Sequence, residues 1–171
     1  MIPTLTTDRL TLRGPREADF DAVAGFFADG GRSDFFGGPL TRGNAWRWFA
    51  MSIGHWQLKG FGFWMVELTA TGQHCGLCGL WQPEGWPEPE LGWAVFEGFE
   101  GMGIAKEAAL AARAFAYGTL GWTTLTSNIM PGNTRSIALA ERLGARLDRR
   151  FDNPLVGEEL VYRHPAPEAA S

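Results

Sequence analysis

Apolar and polar residues alternate through "RLTLRG", Arg9 to Gly14, the pattern of a strand with one buried face. The next stretch, "READFDAVAGFFAD" from Arg16 to Asp29, spaces its apolar residues three and four apart, which predicts a helix. Glycine and proline then punctuate "GGRSDFFGGPLTRG", a loop free to shape a pocket. Asn44 can cap a second helix that carries Trp46, Trp48, Phe49, Ile53 and Trp56. Three strands follow, Phe61 to Leu68, His74 to Gln82 and Glu90 to Phe96, and their short polar connections fit an antiparallel meander.

A glycine turn, "GFEGMG" from Gly98 to Gly103, opens an alanine-rich helix that runs to about Leu120. After it the pattern predicts a strand from Thr123 to Ile129, a helix from about Asn133 to Leu143, and closing strands over 145–150 and 158–163. No internal repeat is visible. One domain over residues 1–164 is expected, with a disordered tail over 165–171.

Composition narrows the function more than the fold. At 171 residues and 45% apolar content the chain can bury a single sizeable core. Its net charge is -4, and no Lys/Arg run exceeds two residues, so the long-range attraction that nonspecific nucleic-acid binding needs is missing. The first residues, "MIPTLTTDRL", lack a basic start followed by an apolar run, and no later stretch is apolar enough to cross a bilayer. These features predict a soluble, cytoplasmic protein with no membrane and no nucleic-acid partner.

Cys75 and Cys78 form "CGLC", which invites a redox or zinc reading. No second Cys or His pair at ligand spacing accompanies them, and no metal is expected. Residues three apart in a strand point to opposite faces, so two packed strand cysteines are the favoured reading.

The glycine turn is the strongest chemical signal. A strand, a glycine turn and a helix together aim free backbone N–H groups and the positive helix end at one point, where a phosphate is stabilised. A dinucleotide fingerprint would need glycine at Lys106, and a nucleotide P-loop starting at Gly98 would need lysine at Ile104, so both fail. A tight turn with no ligand would use the same glycines.

The neighbours of this turn carry a resemblance. "GFEGMG" followed by "IAKEA" resembles the Gln/Arg-x-x-Gly-x-Gly/Ala signature of the GNAT superfamily of acyl-CoA-dependent N-acyltransferases. "TTDRLTLRGPREADFDAV" and "NTRSIALAERLGA" look like segments of the branch that includes ribosomal-protein N-terminal acetyltransferases. The resemblance runs from about Thr7 to Arg163. It departs from the family at Gly98, where Gln or Arg is usual, and at Ala145, where Phe is usual.

The resemblance implies an α+β fold: a central, mostly antiparallel twisted sheet of about seven strands, flanked by about four helices, with one parallel pair splayed apart. Acetyl-CoA is the implied cosubstrate. Its diphosphate would rest on the turn formed by Gly101, Met102, Gly103, Ile104, Ala105 and Lys106. Its pantetheine arm would add to the strand carrying Trp93, Ala94, Val95 and Phe96, as a ligand pairs with an exposed sheet edge. Asn133 would contact the cofactor or order the preceding loop, although a plain helix cap looks the same.

An amine attacks a thioester only when neutral, so a base must remove its proton, directly or through water. Glu90, just beyond the expected thioester position, is the candidate base; a solvated strand-end carboxylate is the competing reading. Many relatives present a Tyr at the position of Ala140 to protonate the departing thiolate. Ser136 is the candidate donor here, or else it caps its helix. Backbone N–H groups near Trp93 to Val95 would stabilise the oxyanion.

Glu84, Glu88 and Glu90 favour a cationic amine acceptor: an N-terminal α-amine, a lysine, a polyamine or an amino-sugar. The aromatic residues Phe35, Phe36, Trp46, Trp48, Trp56, Trp81 and Trp86 are mostly core, with a minority left for a pocket. The missing Tyr and Gly98 also leave open a noncatalytic acyl-CoA-binding or sensing module.

Overall fold

The structure is a computed structural model that describes residues 1–168; the last three residues of the expected tail lie outside the described residues. The strands are β1 (Leu5–Thr6), β2 (Leu10–Arg13), β3 (Phe63–Leu68), β4 (His74–Trp81), β5 (Glu90–Val95), β6 (Thr126–Ile129), β7 (Arg146–Asn153) and β8 (Gly157–Arg163). The α-helices are α1 (Phe20–Ala28), the single turn α2 (Gly30–Ser33), α3 (Arg42–Lys59), α4 (Ile104–Gly118) and α5 (Thr134–Arg142). All eight strands join one sheet in the order β1-β2-β3-β4-β5-β6-β8-β7. Every neighbouring pair is antiparallel except β5 with β6.

Most elements arise where the periodicity predicts them. The two-residue β1 is too short to leave a pattern. The loop before α3 holds the turn α2, and α3 starts earlier than expected, because Thr41 rather than Asn44 is its cap: the Thr41 side chain accepts the Asn44 N–H.

The sheet is packed on both faces. On one, Leu10, Trp64, Leu80 and Leu91 meet Ala108, Ala109 and Ala112 of α4, whose missing bulk lets the helix lie close. On the other, Phe63, Met65, Leu77 and Trp81 meet Phe20 and Phe27 of α1 and Phe49 of α3. Each fully buried Leu, Phe or Met among these contributes about 1.5–3 kcal/mol. The outer strand β7 is largely exposed and carries Arg146, Asp148, Arg149 and Arg150, charges that discourage pairing with another chain.

One strand-face expectation fails. Cys75 and Cys78 join the same core cluster, because the β3–β4 register shifts between Val66 and Glu67 and so turns Cys75 over. Both are free and buried. Burial pushes the Cys75 thiol up to about 11 and raises Cys78 as well. A thiol reagent at pH 8 should therefore leave both unmodified in the native protein and label two per chain once the protein is unfolded, as mass spectrometry would count.

Among the described residues no helix is long and apolar enough to cross a membrane. Nor does any group of three or more His, Cys, Asp or Glu side chains there stand ready to hold a metal ion.

Candidate functional site

The site begins where the only parallel pairing of the sheet stops. β5 and β6 share one register pair, Glu90 with Thr126, and then separate. A regular parallel ladder would next join Asn128 N–H to Leu91 O. Both groups instead take side chains: Asn128 N–H donates to Glu90 Oε2 at 3.3 Å, and Ser127 Oγ donates to Leu91 O at 2.6 Å. Two side chains thus stand in for one rung and let the strands diverge without leaving buried polar groups unpaired.

Ser127 is held from behind. His164 Nε2 lies 2.9 Å from its Oγ, and His164 Nδ1 lies 3.2 Å from an Arg113 guanidinium nitrogen. Burial and then the Arg113 charge push His164 down to about 4, so its imidazole is neutral at pH 7. A neutral ring protonated on Nε2 satisfies the chain, donating to Ser127 and accepting from Arg113.

Beyond the divergence β5 offers an open edge. Phe96 N–H is taken by Cys75 O on the β4 side, and alternation turns the N–H groups of Trp93 and Val95 the other way, toward the gap. The glycine turn follows. Gly98, Gly101 and Gly103 have φ of 87°, 72° and 77°, left-handed values that side chains strain to adopt, so this turn demands glycine whatever it binds. Gly103 is the N-cap of α4 and has no side-chain cap. The first helical bond runs from Glu107 N–H to Gly103 O, which leaves the amides of Ile104, Ala105 and Lys106 without intrahelical partners.

The gap and the turn open into one cavity of about 1260 Å³. Glu90, Trp93, Ala94, Val95, Gly101, Gly103, Ile104, Ala105, Lys106, Asn133 and Ser136 all line it. Phe96 and Met102 do not: the Phe96 ring is buried 5.6 Å from that of Phe26, and Met102 O accepts from Arg9 on the outside of the turn. Glu107 in the first turn of α4 anchors the same outer side, accepting from Thr7 at 2.6 Å and from Arg9 Nε at 2.7 Å.

Two carboxyls matter here, and the sequence pointed to one. Burial pushes Glu90 up to about 8; the nearby Glu159 carboxyl adds to the rise, while the Trp86 indole and the Asn128 amide oppose it. The Trp86 indole N–H is buried beside Glu90 without a partner in full hydrogen-bond geometry. Glu159, which sequence reasoning passed over, is 6% exposed, lines the same cavity and is also raised by burial. Its strand, β8, reaches the site only because it inserts between β6 and β7.

The other acids expected near the acceptor are elsewhere. Glu88 is spent on Arg163 and Arg149, each 3.0 Å away, and these hold its carboxyl below the usual range. Glu84 is exposed and outside the cavity lining. The aromatics divide similarly: Trp56 is core and Trp46 covers Phe20 from outside, whereas Phe35, Phe36, Trp48, Trp81 and Trp86 line the cavity.

Ser136 and Asn133 also part company. Asn133 Oδ1 caps α5 by accepting Ser136 N–H at 3.2 Å. Ser136 Oγ accepts from the Trp93 indole at 3.1 Å, so its own proton is left for another partner. Glu90 projects toward the α1–α3 side of the sheet, with Ala94, and Ser136 stands on the α4–α5 side. The gap between the strands connects the two.

Residues 9–146 match the model of the Acetyltransferase (GNAT) domain. An acetyltransferase of known structure from Agrobacterium tumefaciens is 41% identical and superimposes with a TM-score of 0.89, covering 96% of this chain and 95% of its own. The uncharacterized protein YkkB of Bacillus subtilis (strain 168) is 27% identical over 157 residues, 88% of this chain and 91% of YkkB. The ribosomal L7/L12 alpha-N-protein acetyltransferase RimL, solved in complex with coenzyme A, shares the fold at a TM-score of 0.73 and 16% identity, covering 95% of this chain and 97% of RimL. With its opened parallel pair, its uncapped helix behind a glycine turn and this match, the chain belongs to the GNAT acetyltransferase family.

Proposed function

We propose that the protein is an N-acetyltransferase that moves an acetyl group from acetyl-CoA to a cationic primary amine by direct attack on the thioester. The observation that carries this reading is the gap between β5 and β6, with Glu90 on one side, Ser136 on the other and bare helix amides at its end.

The residues fit the cosubstrate's chemistry. The amides of Ile104, Ala105 and Lys106 suit a diphosphate, and the β5 edge at Trp93 and Val95 suits the amides of an extended arm. Acetyl-CoA supplies an acyl carbon bonded to a good leaving sulfur. Glu90 takes the first proton from the ammonium to give the neutral nucleophile; as the new N–C bond forms and the C–S bond breaks, the nitrogen sheds its second proton to solvent. Backbone N–H groups of the β5 edge face the charge growing on the carbonyl oxygen. Ser136 gives its proton to the departing sulfur and recovers one from solvent.

Incubation with acetyl-CoA and a panel of amines should release free CoA thiol, and calorimetry should detect CoA binding. Ser136→Ala should lower kcat about 100-fold, the low end for general acid catalysis, with CoA affinity unchanged. Asn133→Ala, by contrast, should cost about 1 kcal/mol of stability as a lost cap. A noncatalytic acyl-CoA-binding module predicts CoA binding with no thiol release from any amine.

A further inference from the structure

Glu159 is the buried acid that the mechanism above does not use. Its Oε2 accepts from Asn153 Nδ2 at 3.1 Å, and it stands 6% exposed in the lining of the cavity that holds Glu90. It is near enough for its charge to raise the Glu90 carboxyl. All the acidity of this end of the cavity is therefore gathered at one spot.

An aromatic cluster forms another part of the cavity wall. Phe63 packs against Phe36, Trp48 and Trp81 with ring centroids 5.6, 5.7 and 5.3 Å apart. This cluster abuts the reaction end of β5, since a Cβ on Gly92 would lie 3.1 Å from the Phe63 ring. Phe35 and Met51, each 47% exposed, continue the apolar lining outward.

We propose that the acceptor is an arylalkylamine, a primary ammonium on a short tether from a flat ring, with Glu159 anchoring the ammonium beside Glu90 and the ring lying against Trp48 and Phe36. This rests on the N-acetyltransferase reading and names its substrate class. A peptide N-terminus brings amide groups that need hydrogen-bond partners, and an amino-sugar brings hydroxyls. The rings of Phe36, Trp48, Phe63 and Trp81 offer few partners to either. A ring against aromatic faces gains both burial and edge-to-face contact. Two carboxyls side by side resist ionising together, which suits a monocation over a polyamine.

The test measures CoA-thiol release from acetyl-CoA with 2-phenylethylamine, tryptamine, ethylamine, spermidine, kanamycin and an unblocked tetrapeptide, with calorimetry of CoA on the same protein. kcat/KM for the two arylalkylamines should exceed that for ethylamine by about 100-fold, the worth of a buried ring. Glu159→Gln should raise the amine KM about 10-fold while CoA affinity holds, and Trp48→Leu, at a half-buried position, should collapse the arylalkylamine-to-ethylamine ratio. Thermal melts confirm that each variant folds. Faster turnover of the peptide, kanamycin or spermidine overturns this inference and leaves acetyl transfer standing. CoA binding with no amine acetylated removes both, as does a complete failure to bind CoA.

Discussion

Replacing Glu90 with glutamine is expected to slow acetyl transfer by about 10²–10⁴-fold, the worth of a positioned general base, and to make the protein more stable at pH 8. Both effects come from one carboxyl. Burial and the neighbouring Glu159 raise Glu90 from the ordinary 4.5 to about 8. A base with that value is largely protonated at pH 7, so wild-type kcat/KM should climb with pH, with a limb near 8 that the glutamine variant lacks.

The stability sign is the reverse of the usual carboxylate. The folded state holds the Glu90 proton more tightly than the unfolded state, so the burial of this group is harmless below about 4.5 and costs stability as pH rises through about 8. Glutamine never ionises. The variant should be more stable than wild type at pH 8.5 by at most a few kcal/mol, since the residue keeps some contact with the cavity; this reads as a higher Tm, and the advantage should vanish toward pH 4.5. Turnover within threefold of wild type, or a Tm difference that does not grow with pH, would remove Glu90 from the proposed role.

Asp19→Ala should destabilise the fold by about 3 kcal/mol, because it leaves the buried Arg13 guanidinium with only the more exposed Glu67 as a carboxylate partner and the Arg16 amide without its acceptor. Arg13 and Asp19 are 7% and 1% exposed and share two hydrogen bonds of 2.8 and 2.7 Å. Arg13 Nε also donates to Glu67 at 2.8 Å, and the Arg16 amide donates to Asp19 at 2.7 Å. Burial alone would raise the Asp19 carboxyl, but the hydrogen bonds from Arg13 and Arg16 outweigh it and hold it below the usual range. Its contribution is therefore present above the ordinary aspartate value of 3.8 and fades as pH falls through the folded value.

For a chain of this length the loss should appear as a Tm drop of about 10 °C at pH 7, shrinking in acid. The triple variant Arg13→Met, Asp19→Leu, Glu67→Gln should recover much of it, since no carboxylate or guanidinium of the cluster is then left unpaired. A single-variant Tm within about 2 °C of wild type would show that water reaches Arg13 and that the pair is not a structural centre.

The contrast between these two acids shows where sequence reading stops. Asp19 looks like an ordinary acidic residue at the start of a helix; its partner Arg13 is shared with Glu67, and both Glu67 and His74, which lies 3.3 Å from Asp19, arrive from strands far along the chain. Glu90 was legible as a candidate because the glycine turn and the strand before it lie next to it in sequence. Glu159 was not, since nothing near "VGEELVY" distinguishes it from the exposed Glu158 beside it. The Cys75 strand-face error has the same origin: a register shift is set by the pairing of two strands, not by either strand's own alternation.

The order of helices and strands, the glycine turn that only glycine can make, and the family are properties of short stretches, and local spacing is enough to encode them. The insertion of β8 between β6 and β7, the side chains that replace a backbone rung, and the raised Glu90 carboxyl were decided by the tertiary structure. Pairing partners distant in the chain compete on total packing, and the energy of a buried charge depends on everything folded around it.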